Sequence, residues 1–429
     1  MKAESSFAAA IEARVERGDL AGAGALVWRD GKAEVTCVGW RDVQAGLSIE
    51  RDTMFRIASM TKPITSTAAL MLLEEGRFAL RDPINRWAPE FSDMRVLCAP
   101  DGPLDQTRPV ERPITIEDLL THRSGLTYGD FHAGPIREAY EEALGGSIDC
   151  ELAPDDWLAR LARLPLIDQP GATFHYGRST DLLGLLIARI EDAPLEEVLH
   201  RRIFKPLGMT DTTFRVPRDK AQRRAHLYGF DESGVLVRLA AAPGGATVAE
   251  RPEHMAYVSG GQGLWSTLDD YCAFARMFVG AGAVDGVRLL RPETLAMMTS
   301  NQLTREQRGS ATLLGLPAFA AGHGFGMGVA VVMEPEQAEP TLCGGGVGAV
   351  GWPGAFGGWW QADPGDRSVL IFLAHNLVEL EQLERGIGFG VYGAIRSFQA
   401  AFSAGRKSAV TDDVSRRLNE TSLRDRSRA

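Results

Sequence analysis

Apolar and polar positions divide the chain into three stretches of different character. Residues 22–29 form an apolar run that Asp30-Gly31 closes, and an apolar-rich segment, 33–40, follows; this is the pattern of a β-hairpin on a tight turn. Residues 53–58 read as a short strand. From Ser59 the spacing changes to that of a helix running through Ala68, Leu70, Leu72 and Leu73, which Gly76 stops. Between about 84 and 298 the pattern is mostly helical and broken by Pro and Gly, with segments at 116–120, 157–164, 179–190 and 268–278. Strand patterns return at 326–332, 355–362 and 368–374, and a helical stretch at 391–402 closes the folded part.

Strands at both ends and helices between them predict an α+β fold: one antiparallel sheet flanked by helices, with a separate, mostly helical lobe. The expected division is an α/β domain from 1–86 and 300–407, a helical domain from 87–299, and a polar tail at 408–429 rich in Arg, Asp, Ser and Glu. A site between the lobes is the natural place for a ligand.

Composition narrows the function. With 46 Lys and Arg against 56 Asp and Glu, the net charge of -10 argues against a nucleic-acid partner. The five cysteines, scattered and without a Cys-x-x-Cys pair, read as reduced, buried thiols. Charges recur too often in the first residues for a secretory signal, so a cytoplasmic location is expected, and no apolar run is long enough for a membrane span. The eight histidines form no ligand pair, so neither a metal nor another cofactor is expected. The glycine-rich stretch 344–351 lacks the lysine of a phosphate-binding loop and reads as a flexible loop.

Ser59-Met60-Thr61-Lys62 is the only Ser-x-x-Lys in the chain, and it stands where a strand passes into a helix. Residues three apart share a helix face, so the Lys62 amine can approach the Ser59 hydroxyl. A serine hydroxyl becomes a useful nucleophile only when something takes its proton, and a lysine does so when burial or cationic neighbours lower its pKa. At a helix start the Ser59 N–H is free of helix bonding and can help hold an oxyanion. Taken alone, the same tetrapeptide also fits a capping serine followed by a solvated lysine. No serine has glycine two residues away on both sides, which removes the nucleophile elbow of α/β-hydrolases.

Three further segments, Thr121-His122-Arg123-Ser124-Gly125-Leu126, Phe174-His175-Tyr176-Gly177-Arg178-Ser179 and Ser259-Gly260-Gly261-Gln262-Gly263, follow in order. With them the chain resembles the serine β-lactamase-related family over 21–397, and within it the family VIII carboxylesterases, which share the fold of class C β-lactamases and penicillin-binding proteins. The resemblance implies that Ser59 and Lys62 are catalytic and that Tyr176 is the motif tyrosine sharing proton transfer with Lys62. A phenol with a pKa near 10 needs a cation beside it for that work, a role open to Lys62. Arg178 departs from the asparagine usual in lactamases two residues after this tyrosine, so it is either a substrate contact or a solvated side chain.

The family's third element, Lys-Thr-Gly or His-Thr-Gly, is replaced by Trp352-Pro353-Gly354-Ala355, and no lysine occurs between Lys220 and Lys407. By this match Ala355 N–H is the second oxyanion donor beside Ser59, and Trp352 and Gly354 join the substrate site. An apolar Trp352 in place of a cation favours neutral acyl esters over carboxylate-bearing β-lactams. Pro353 lacks an N–H and distorts the strand edge there. The expected activity is a serine hydrolase cleaving small, short-chain carboxylic esters through a Ser59 acyl-enzyme, with a small-molecule ester as its partner. An acyltransferase, a weak β-lactamase or D,D-peptidase, and a catalytically silent binding domain are the alternatives.

Overall fold

The computed structural model describes residues 4–145, 148–239, 256–313, 315–319 and 321–404; the expected tail at 408–429 lies outside them. The N-terminal part supplies β1 (Gly22–Arg29), β2 (Lys32–Asp42) and β3 (Leu47–Ser48). The C-terminal part supplies β4 (His323–Phe325), β5 (Ala330–Val332), β6 (Val350–Gly351), β7 (Trp359–Asp363) and β8 (Ser368–Ala374). They form one antiparallel sheet in the order β4-β5-β6-β7-β8-β1-β2-β3. The two chain ends meet where β1 pairs with β8, from Ala23 opposite Ala374 to Arg29 opposite Ser368.

Five helices set the layers: α1 (Glu4–Glu16), α2 (Thr61–Glu74), α3 (Ser179–Glu191), α4 (Leu268–Val279) and α5 (389–404). The central strands β7 and β8 are buried on both faces, which is why they read as nearly continuous apolar runs. On one face Leu26, Trp360 and Ile371 pack with Leu268 and Phe274 of α4. On the other, Ala25, Trp359 and Phe372 pack with Phe7 and Ile11 of α1 and with Ile395 and Phe398 of α5. Gly24 makes the first contact possible: a Cβ there would stand 2.9 Å from Leu268 Cδ1. Helix α2 is buried around most of its circumference, from Thr61 through Leu70, because it runs through the middle of the molecule.

Several details differ from the sequence expectation. The strand expected at 326–332 is a hairpin: β4 and β5 flank a turn in which Gly326 N–H donates to Val329 O (2.8 Å) and Gly328 takes a φ of +89°. Gly328 lies over α2, where a side chain would press on Ser66. The strand expected from 355 begins only at Trp359, because Gly357 at a φ of +78° makes a turn first. The middle of the chain also holds short ribbons, such as Tyr228–Phe230 with Leu236–Arg238. All five cysteines are free, but Cys98 is exposed and Cys37 half-buried, so only three fit the expected buried thiols.

Ile371 has no solvent exposure and faces α4 between Leu26 and Trp360. Ile371→Ala should therefore lower unfolding free energy by roughly 2–5 kcal/mol in chemical denaturation; a loss under about 1 kcal/mol would contradict this packing.

Candidate active site

Ser59 is presented by a kinked connection between strand and helix. Phe55–Arg56 pairs with Trp265–Ser266, and Ile57 N–H donates to Leu264 O (3.0 Å). Ala58 then takes a φ of +44°, an uncommon conformation for a residue with a Cβ, and a 3-10 turn over Ala58–Met60 leads into α2. The kink is held by burial, since Ala58 has no exposure and packs on Ile148 and Phe356. Ser59 lies in that turn, where Met60 N–H donates to Ile57 O (3.0 Å) and, among the described residues, no carbonyl accepts from Ser59 N–H. Pro63 is tolerated in the first turn of α2 because its position needs no helical donor. The expected strand-to-helix passage is present, with the 3-10 turn inserted.

Lys62 is wholly buried, and its Nζ donates to Ser59 Oγ (3.2 Å), Tyr128 Oη (3.1 Å) and Gly261 O (3.0 Å). These match the three donors of an ammonium group, but each partner is neutral. Burial therefore dominates: it brings the amine from its ordinary 10.5 down to about 7, with Asp181 pushing it up and Arg178 pushing it further down. Near neutral pH a large fraction of Lys62 is a free amine in contact with Ser59.

Tyr176 faces the same group, with Lys62 Nζ 4.5 Å from its ring centre. Its hydroxyl accepts from Trp352 Nε1 (2.9 Å). Burial raises the pKa of Tyr176 above the ordinary phenol value, and hydrogen bonds with Ser59 and Trp352 only partly oppose it. Desolvation thus outweighs the neighbouring amine at this phenol. Tyr176 rests as a neutral O–H, and Lys62 is the group able to accept a proton.

The Trp-Pro-Gly-Ala segment comes directly against the Ser59 connection. Trp352 was expected to offer an apolar face to substrate; instead it is buried between Tyr176 and Phe325, each 5.2 Å away ring to ring, with its indole N–H on the phenol. Strand β6 stops at Gly351, just before Pro353. Gly354 N–H donates to Gly358 O (2.7 Å), and a Cβ at Gly354 would fall 2.5 Å from Ile57 O, so glycine permits the approach. Ala355 is exposed in the turn that follows, and among the described residues no carbonyl accepts from its N–H. Arg178 is not solvated: it is 4% exposed, 3.6 Å from Asp181, with its guanidinium over the Tyr128 ring.

Sequence reasoning missed Tyr128, the Gly261 carbonyl and Asp181. Tyr128 stands two residues past the Ser124-Gly125-Leu126 segment, and nothing in its spacing aims it at Lys62. His122, in the same segment, is a neutral support: its ring lies 4.9 Å from Tyr176, Gly177 N–H donates to its Nδ1 (3.3 Å), and burial and Lys62 keep its pKa low. Among the described residues no His, Cys, Asp and Glu side chains group as a metal site would require. No helix among them is long and apolar enough to cross a membrane.

The profile of the family described as Beta-lactamase matches residues 7–387. Protein Rv1367c of Mycobacterium tuberculosis is 46% identical over 373 residues, 87% of this chain and 90% of that one. Esterase EstB of Burkholderia gladioli is 32% identical over 359 residues, covering 80% and 83% of the two chains. Among solved structures, the LovD6 mutant of simvastatin synthase from Aspergillus terreus superposes with a TM-score of 0.76 at 25% identity, over 94% of this chain and 95% of that one.

The burial of Lys62 has a stability consequence. Between pH 7 and 10.5 the unfolded chain holds a proton on this amine that the folded chain does not, so folding stability rises with pH there, by at most about 1.4 kcal/mol per pH unit. Lys62→Met should lack this rise when denaturation curves of the two proteins are subtracted; parallel pH profiles would show that Lys62 is not held as a depressed amine.

Proposed function

The chain belongs to the β-lactamase family of serine hydrolases, and from that premise we propose that it cleaves small, short-chain carboxylic esters through an acyl-enzyme on Ser59. One observation carries the reading: a fully buried amine, its pKa brought down to about 7, stands 3.2 Å from Ser59 Oγ, and in its deprotonated form it can accept the Ser59 proton. In the first half-reaction Ser59 Oγ attacks the ester carbonyl carbon and its proton passes to Lys62 Nζ. The oxyanion of the tetrahedral intermediate is received by the N–H groups of Ser59 and Ala355. Collapse breaks the bond to the leaving oxygen, which takes a proton from Tyr176 Oη, and the Lys62 ammonium restores that proton to the phenol. Water then attacks the acyl-enzyme with the same groups acting in reverse, releasing the acid and free Ser59. Trp352 N–H on Tyr176 Oη fixes where the phenol sits during both proton transfers.

The absence of a cation in the Trp352-Pro353-Gly354 segment favours neutral acyl groups over a substrate carboxylate. The similarity to esterase EstB supports ester hydrolysis in particular. The similarity to the acyltransferase calJ of Penicillium decumbens, 30% identical over 338 residues, supports a second outcome, in which an alcohol rather than water takes the acyl group.

Ser59→Ala should remove hydrolysis of short-chain nitrophenyl esters with the circular dichroism spectrum unchanged, and persistent turnover would move the nucleophile elsewhere. Tyr176→Phe should lower kcat by roughly 10²–10⁴-fold, with Trp352→Phe between it and wild type; a wild-type rate in Tyr176→Phe would mean that another group protonates the leaving oxygen. Product analysis with added alcohols separates the two outcomes: ester formed faster than acid marks acyl transfer.

A further inference from the structure

Two of the three hydrogen-bond partners of the Lys62 amine, Gly261 O and Tyr128 Oη, are themselves held by one buried ion pair on the first turn of α3. The pair is Arg178 and Asp181, 3.6 Å apart, and Asp181 has no solvent exposure at all. Asp181 Oδ1 accepts from Gly261 N–H (3.2 Å), from Tyr257 Oη (3.3 Å) and from Ser259 Oγ. The peptide whose N–H meets Asp181 carries the Gly260 carbonyl, which accepts from Thr65 Oγ1 of α2 at 2.6 Å. The segment 259–261 is thus clamped between α3 and α2, and the next carbonyl along it, Gly261 O, receives Lys62.

The approach is close enough to need small residues on both sides. A Cβ on Gly261 would stand 3.2 Å from both Asp181 carboxylate oxygens, and one on Gly260 would stand 2.9 Å from Thr180 O. Gly184, one turn along α3, would meet Gly260 Cα at 3.2 Å. The second arm of the pair runs through Arg178, whose guanidinium lies 4.9 Å from the centre of the Tyr128 ring. Resting on the proposed esterase mechanism, we infer that Arg178 and Asp181 are positioning residues that hold the Lys62 amine on Ser59, Asp181 through the Gly261 backbone and Arg178 through Tyr128.

Because the pair is buried, it is also the source of charge near the amine. The titratable groups that face Lys62 are Tyr128 and Tyr176, His122, and Arg178 and Asp181 on α3; Tyr257 faces Asp181. Burial holds Tyr128, Tyr176 and Tyr257 above the ordinary phenol range and His122 below the ordinary imidazole value, so these four stay neutral through pH 6–8. Asp181 and Arg178 act on Lys62 in opposite directions, and the Asp181 effect is the larger. Removing Asp181 favours the free amine and removing Arg178 favours the ammonium.

The test is the rate of Ser59 labelling by a fluorophosphonate against pH, in wild type, Asp181→Asn, Arg178→Met and the double variant. This probe needs no knowledge of the ester. The acidic limb should move to lower pH in Asp181→Asn, by about one pH unit, and to higher pH in Arg178→Met, by a smaller amount. The double variant leaves neither charge unpaired in the interior, so it keeps the test alive if a single variant does not fold. Its limb should fall between the two and slightly below wild type, while its plateau drops roughly tenfold or more because the amine is no longer held. An acidic limb that stays put in the folded single variants, or a double variant with a wild-type plateau, overturns the inference. If wild type itself is not labelled at Ser59, the esterase reading fails instead, which keeps the two failures apart.

Discussion

A lysine amine with no exposure to water, bonded to a hydroxyl, a phenol and a carbonyl, is the constraint around which this structure is arranged. An ammonium in such surroundings is poorly solvated, and the simplest relief is loss of its proton. That brings Lys62 to about 7 and makes it a base near neutral pH without any carboxylate in direct contact. The same burial acts oppositely on Tyr176, which is held as a neutral phenol. One environment therefore separates the two proton-handling groups into an acceptor and a donor, which is the division that acylation requires.

Holding these groups together depends on backbone approaching backbone from four directions. Helix α2 carries Lys62 through the centre of the molecule, and Tyr271 of α4 donates to Met60 O (3.0 Å) while Leu264 N–H donates to Thr61 Oγ1 (3.2 Å). The turn at Gly354 rests on Ile57 O, the hairpin at Gly328 rests on α2, and the 259–261 segment is pinned by Thr65 and Asp181. The approaches at Gly354, Gly328 and Gly260–Gly261 occur at glycines because a Cβ would collide there. The sheet supplies rigidity from below: β1 and β8 pair the two ends of the chain over seven residue partners, so the C-terminal segment bearing Trp352 is fixed relative to the N-terminal segment bearing Ser59. A site held in this way keeps its atoms close to reacting geometry without help from substrate.

Much of this was legible in the sequence where local pattern and chemistry coincide. The hairpin at 22–40 announced itself through Asp30-Gly31, and Ser59 and Lys62 through their spacing and the change of period at Ser59. Tyr176 could be recognised by resemblance, not by any property of its own neighbourhood. The missed features are those that depend on contacts between distant segments. Tyr128 and Gly261 reach Lys62 from 66 and 199 residues away, and a backbone carbonyl leaves no mark in sequence. Trp352 was expected at the substrate site; its burial and its bond to Tyr176 follow from packing against Phe325, which no local pattern encodes. Arg178 stayed open between a substrate contact and a solvated side chain because Asp181, though three residues on, becomes its partner only inside a closed interior.

The central claim is that Ser59 becomes covalently acylated. Its most direct test is peptide mass spectrometry of the protein quenched during turnover of a slow ester. The account predicts one added acyl group, confined to the peptide that contains Ser59 and absent from protein incubated without ester. An acyl group on another residue, or steady release of acid with no adduct at any time point, would contradict it.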